Sequence, residues 1–344
     1  MEKELKIRTI GGASTEKKEQ AKKEIEQALF NHFGSLSSQE QEQLKKFEYP
    51  KSEKEIALIN FANKETSQFM QEAGMEPYDI PFENYHIVPN ELYKKIKGAS
   101  GSATTFFMKQ GIIFDAQYFR DNPVNFGTTA IHETLHLKAH FSIEVQEKEG
   151  GKINKTLYRE GVSVQALQGH DGYYEKYHEH FEGLHEGIVA ETEKKLLTKF
   201  FNIPQLQKEK EWLMSEKAKN LKEKLAKEKK ISEDDIIWVG AKENDWTIVS
   251  YIQQRNVLNY VCAEIQKQFP NQYQSTDDIY KIFLNAHFTG KLLPLARIVE
   301  KTFGEGSFRI LGNMGTDEES GVLHLETLTK ARLRQMRKNP FLLI

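Results

Sequence analysis

Apolar and polar residues alternate from Leu5 to Ile10 and stop at Gly11-Gly12, the pattern of a short strand. Ser14 and Glu16 then lead a Lys/Glu/Ala-rich stretch whose period predicts a helix to about Phe33, with Gly34 as its stop. Ser38-Gln39-Glu40-Gln41 has the form of a capping box opening another helix. Beyond Pro50, Ile56, Ile59, Phe61, Ala62 and Phe69 recur at helical spacing as far as Gly74. Residues 1–79 are therefore expected to be mainly helical.

The period then changes. Tyr85-His86-Ile87-Val88 reads as extended and Asn90 to Ile96 as a short helix. Thr104 to Met108 and Ile112 to Phe114 flank Lys109-Gln110-Gly111, which predicts a tight hairpin with Gly111 in the left-handed conformation. Thr128 to Phe141 is predicted helical, and the β-branched runs between Ser142 and Leu167 fold back at Glu149-Gly150-Gly151 as a second hairpin. A strong helix follows from His180 to Phe201. Residues 80–204 thus form a central unit with a small antiparallel sheet just ahead of the helix around His132.

From Gln205 to Lys230, Lys and Glu surround Leu206, Leu213, Leu221 and Leu225, the pattern of one long solvated helix. Ile236 to Val239 and Trp246 to Val249 predict a third hairpin across Ala241-Lys242-Glu243-Asn244. Ser275-Thr276-Asp277-Asp278 caps a helix to Phe288, and Leu292 to Phe303 and Ser307 to Leu311 complete a helical C-terminal subdomain over 205–344, punctuated by Gly290, Gly304 and Gly312. The fold class is α+β and mainly helical.

A length of 344 residues suffices for a sizeable core. The formal net charge of −2, with both signs abundant, provides no field for nucleic acid or an acidic membrane. Cys262, the single cysteine, excludes an internal disulfide and any multi-cysteine metal site; between Val261 and Ala263 it reads as buried and apolar. Met1 to Lys6 carries no signal-peptide stretch, and no window has the apolar run of a membrane span. The expectation is a cytoplasmic protein whose metal ligands, if any, are His, Asp or Glu.

Those residue types converge at one place. His132 and His136 are four apart on a predicted helix, about 40° apart in azimuth and one turn apart in height, so both imidazoles reach one point. Neutral imidazole suits zinc, and a catalytic zinc takes three protein ligands and keeps a position for water. Glu133, on the flank of the same turn, is placed to take a proton from that water. The competing reading is two surface histidines beside a solvated glutamate. His140 extends the spacing, but its ring lies roughly 12 Å along the axis from the first, too far to share an ion. His170, His178 and His180 fall in a Tyr/Gly-rich loop that either lines a cleft or is a solvated connection.

With His132-Glu133-Thr134-Leu135-His136 followed by Leu184-His185-Glu186-Gly187-Ile188-Val189-Ala190-Glu191, the chain resembles zincin metallopeptidases of the gluzincin type over roughly residues 100–200. The metzincin pattern fits less well, because Ala139 stands where it has Gly and Ser142 where it has a third His. His185 stands where many gluzincins have Asn, and Ala190 where some have an acidic residue. The resemblance makes Glu186 the third ligand, with His185, Glu191 and His180 as alternatives, and implies one Zn2+ per chain. It implies peptide-bond hydrolysis with Glu133 as general base, on a peptide or protein lying extended along the edge of the sheet around Thr104 to Phe114. It also implies a donor to the developing oxyanion, for which Tyr158, Arg159, Tyr251 and Arg255 are candidates, and a carboxylate orienting a histidine ligand, for which Glu191 and Glu182 are candidates. Other readings of the same motif are an inactive zincin-like binding module and a zinc hydrolase of other amides or esters; a third is a helical scaffold without metal.

Overall fold

The alternating segment near the start is strand β1 (Arg8–Ile10), and the charged stretch after it is helix α1 (Thr15–Phe30) in the computed structural model, which describes residues 7–30, 42, 45–97, 102–119, 121–168, 176–242 and 245–338. Helix α2 (Glu53–Glu72) opens on a capping box in which Ser52 accepts from the Glu55 backbone N–H and the Glu55 carboxylate accepts from that of Ser52. The capping box expected at Ser38 to Gln41 and the stop at Gly34 lie outside the described residues.

Strand β2 (Tyr85–Val88), helix α3 (Asn90–Lys97), and strands β3 (Ala103–Phe106) and β4 (Gly111–Asp115) follow. Strands β3 and β4 are antiparallel, as their turn chemistry predicts, but β2 pairs parallel with β4, so the sheet, in the order β2-β4-β3, is mixed. The left-handed residue in the turn is Gln110 (φ 49°) and not Gly111, which already pairs with Phe106. A 3-10 turn over Phe107–Lys109 closes the reversal one residue early. Buried side chains hold it there: Gln110 donates to the Phe107 carbonyl (2.6 Å) and Asn84 to the Gln110 carbonyl (2.7 Å).

After the short α4 (Ala116–Phe119), helix α5 (Pro123–Lys138) carries the paired histidines. It begins at Pro123 instead of Thr128 because Asn122 caps it, accepting from the Asn125 N–H at 2.9 Å, with Pro123 in the first turn. It ends before Phe141, which opens strand β5 (Phe141–Glu147). Strands β6 (Ile153–Glu160), β7 (Ser163–Gln168) and β8 (Lys176–His180) extend that sheet in the order β1-β5-β6-β7-β8; β1 is parallel to β5 and the other pairs are antiparallel. The turn at Glu149–Gly151 falls where predicted. His178 and His180 are not in a loop: both belong to β8, the strand at the end of the sheet, with His180 opposite Val164. His170 lies outside the described residues.

Helix α6 (Glu182–Phe200) carries Glu186. The expected single helix over 205–230 is instead α7 (Gln207–Leu213) and α8 (Glu216–Lys229), because Ser215 caps a new helix, accepting from the Ala218 N–H at 3.2 Å. Strands β9 (Ile236–Val239) and β10 (Trp246–Ile248) form the third hairpin and share a small apolar cluster with α8; residues 243–244 of its turn lie outside the described residues. Helices α9 (Ile252–Gln268), α10 (Thr276–Thr289), α11 (Leu292–Phe303), α12 (Ser307–Gly312) and α13 (Glu318–Lys338) follow; the last was not anticipated from sequence. The architecture is α+β, helices with small sheets. Among the described residues no helix is long and apolar enough to cross a membrane.

One apolar cluster joins Ile25, Leu58, Val124, Ile131, Leu135, Ile188, Val261, Phe283 and Leu328, so α5 is packed in the middle of the chain's main core. Each such buried aliphatic side chain contributes about 1.5–3 kcal/mol. Helices α5 and α6 approach closely at Gly127, where an added Cβ would lie 2.6 Å from the Phe200 ring and 3.1 Å from Leu58. Gly127→Ala is expected to destabilise the fold by about 1–3 kcal/mol through overpacking. Thermal melts of the two proteins check this, and equal midpoints would mean that α6 yields without cost.

Candidate metal centre

The imidazoles of His132 and His136 project from successive turns of α5, with their Nε2 atoms 3.2 Å apart. Glu186 comes to them from α6: its Oε2 is 3.4 Å from His132 Nε2 and 3.4 Å from His136 Nε2. A zinc ion with arms of about 2.0–2.1 Å spaces tetrahedral ligands about 3.3–3.4 Å apart, so these three atoms already have the spacing of three corners of such a site. Glu186 Oε2 is buried and without a hydrogen-bond partner, which is the condition of a ligand atom. The residues fit a zinc ion.

Each of these imidazoles has a carboxylate at its other nitrogen. Glu193 Oε2 lies 3.2 Å from His132 Nδ1, and Glu160 Oε1 is hydrogen-bonded to His136 Nδ1. Such contacts fix the ring tautomer and turn the Nε2 lone pair toward a metal. Burial opposes a charge on His132, but Glu186 and Glu193 outweigh it and push its pKa up to about 9; His136 is raised well above the usual histidine range by Glu186 and Glu160 against the same burial. Burial likewise opposes ionisation of Glu186 and Glu160, yet the imidazoles hold Glu186 well below the usual carboxylate range and Glu160 down to about 2. Buried anions thus surround a point that attracts positive charge.

The second half of α5 is held from several sides. Tyr85 bonds Thr134 through their hydroxyls (2.9 Å), Tyr78 donates to the Leu137 carbonyl (3.1 Å), and Lys138 donates to Asn63 O and Ser67 Oγ of α2 at 3.0 and 2.8 Å. Glu133 faces the sheet: Thr105 Oγ1 of β3 donates to its Oε2 at 2.7 Å. Tyr251 stacks on His132 with ring centroids 6.1 Å apart and planes 17° apart. Burial, then the negative charge of Glu186 and Glu133, raises the Tyr251 phenol, so it stays protonated and able to donate. Tyr251 reaches this place from the left-handed region (φ 54°) as the residue capping α9, a conformation that costs a side-chain-bearing residue about 1–3 kcal/mol.

The structure therefore brings together His132, His136, Glu186, Glu133 and Tyr251. The other sequence candidates are placed differently. Arg255 is buried and committed to Glu191 (3.0 Å) and Asp235 (2.9 Å), so it and Glu191 neutralise one another away from the imidazoles. Arg159 donates to the Gly161 carbonyl (3.0 Å), and beside Tyr158 and Arg159 on β6 it is Glu160 that contacts His136. Glu182 stands one turn before Glu186, its carboxyl raised by burial and by Glu179 and Glu186. His180 lies on β8, and His140 packs on Gly290 with its pKa lowered to about 4 by burial and by Arg159. His185 faces the Nδ1 side of His136, 3.1 Å away, while Glu186 faces Nε2. Cys262 is buried, as read from sequence.

Two carboxylates of the site escaped the sequence reading. Glu193 is seven positions beyond Glu186, two full turns, and so shares its helix face, whereas Glu191 points elsewhere. That spacing was a readable signal. Glu160 follows His136 by 24 residues across a hairpin, and nothing local marks it. Comparison with known protein families, with characterised proteins and with solved structures finds no match to this chain.

Proposed function

We propose that this chain is a zinc-dependent hydrolase, specifically a gluzincin-like metallopeptidase, with His132, His136 and Glu186 as ligands and Glu133 as general base. The observation that carries the reading is the tetrahedral spacing of the three ligand atoms beside an anchored carboxylate. Zinc held there supplies Lewis acidity, making water acidic near neutral pH and polarising a carbonyl. Thr105 occupies Glu133 Oε2, which leaves Oε1 to take the proton from the attacking water and pass it to the departing amine. The amide C–N bond breaks, the acyl carbon gains the hydroxyl, and the amine gains the proton. Tyr251, protonated and stacked on His132, donates to the carbonyl oxygen as negative charge develops.

Strand β3 ends its sheet in the order β2-β4-β3 and also supplies Thr105, so an extended peptide added along β3 passes beside the base. That arrangement favours a polypeptide substrate over a small amide. The test is to incubate an unfolded polypeptide with the protein, with the chelator-treated protein, and with that protein given zinc again, and to count new N-termini. Cleavage that is lost and then restored is expected; none in any sample leaves a binding module, and cleavage indifferent to chelation contradicts zinc. Tyr251→Phe is expected to lower kcat by about 10²-fold with zinc content unchanged, the usual loss for one oxyanion donor. An unaltered kcat would reduce Tyr251 to packing on His132.

A further inference from the structure

Two trios of metal-capable groups share His136: one with His132 and Glu186, the other with Glu160 and His185. Only the first has the spacing of an ion's ligands. In the second, His185 Nε2 lies 2.9 Å from Glu160 Oε1 and 3.1 Å from His136 Nδ1, and His136 is hydrogen-bonded directly to Glu160. Those separations are tighter than the about 3.3 Å between ligands of a tetrahedral zinc and are those of hydrogen bonds. We propose that Glu160 and His185 are a positioning pair that sets the zinc affinity of His136; the inference rests on the zinc reading above.

The geometry assigns each part. His136 Nδ1 and His185 Nε2 both donate to Glu160 Oε1, so one carboxylate oxygen is fixed by two rings and in turn fixes the tautomer in which His136 Nε2 is free to bind metal. His185 and Glu186 are consecutive on α6, and they occupy opposite sides of the same imidazole. His185 is itself held by His287 of α10, whose ring stacks on it at 5.1 Å and 22°. His287 Nε2 lies 3.2 Å from the Leu135 carbonyl, which closes the circuit back to α5 between the two ligands. Gly161 makes room for both rings: a Cβ there would lie 2.5 Å from His185 Cε1 and 2.9 Å from His287 Nδ1, and its φ of +53° already favours glycine. His185 and His287 are 2 % and 1 % exposed, so water cannot take over the role of either ring without rearrangement.

The test is zinc affinity of the full chain, measured by competition with a chromogenic chelator, together with the visible spectrum of the cobalt(II)-substituted protein. Glu160→Ala is expected to weaken zinc about 10–100-fold, and His185→Phe, which keeps a ring but removes the donor, about tenfold. Glu160→Gln keeps an acceptor oxygen and is expected between wild type and Glu160→Ala; it decides the matter if the alanine variant does not fold. The cobalt spectrum is expected to stay that of wild type in all three, because the ligand atoms are unchanged. Wild-type affinity in Glu160→Gln and His185→Phe overturns the pairing, and so does a cobalt spectrum altered by His185→Phe, which would make His185 a ligand. Wild-type protein that binds no zinc overturns the zinc reading itself, a separate outcome.

Discussion

Glu133→Gln is expected to keep one zinc per chain and to lose about 10²–10⁴-fold in kcat on an unfolded polypeptide, the range for removing a positioned general base. The two side chains have the same shape, and Thr105 can still donate to the amide oxygen that replaces the Oε2 it now contacts at 2.7 Å. What changes is that the amide cannot accept a proton near neutral pH. Because the substitution leaves His132, His136 and Glu186 in place, KM should move little while kcat falls, the signature of a group needed in the transition state. Turnover within a few-fold of wild type would place the base elsewhere, with Glu182, one turn before Glu186, the next carboxylate to test.

Removing the metal is expected to have the second largest effect, on stability as well as on activity. Glu160, Glu186 and Glu193 converge, largely buried, on two imidazoles, so zinc bound to the folded chain alone stabilises it by mass action. Free zinc at a thousandfold over Kd corresponds to about 4 kcal/mol, enough to move the melting midpoint by several degrees. Chelated wild type should melt lower than the zinc-loaded protein, and His132→Ala and Glu186→Ala should show no such difference. A zinc-dependent shift surviving in Glu186→Ala would remove that residue from the ligand set.

The parts of the site legible in the sequence are those written at helical spacing. His132, Glu133 and His136 lie on one turn of α5, and Glu193 repeats the face of Glu186 two turns on. Glu186 itself is reached through a resemblance, since only folding brings α6 against α5. Tyr251, at the cap of α9, is likewise reached only as one of four donor candidates that the resemblance suggests, while Thr105 and Glu160 come from β3 and β6, and pairing across elements leaves no local trace. The fold shows the same division. Capped, strongly periodic helices such as α10 were readable, whereas α13, with Val322, Leu323 and Leu333 exposed beside a fully buried Leu328, has no clean apolar stripe. The break between α7 and α8 turns on a single capping serine in a run of charges.

The central claim is that one zinc ion is held jointly by α5 and α6. Anomalous diffraction from crystals of the zinc-loaded protein, measured on both sides of the zinc absorption edge, tests it most directly. One strong peak is expected about 2.0–2.2 Å from His132 Nε2, His136 Nε2 and a Glu186 carboxylate oxygen. A peak among His136, Glu160 and His185 instead, or none within reach of His132, contradicts it.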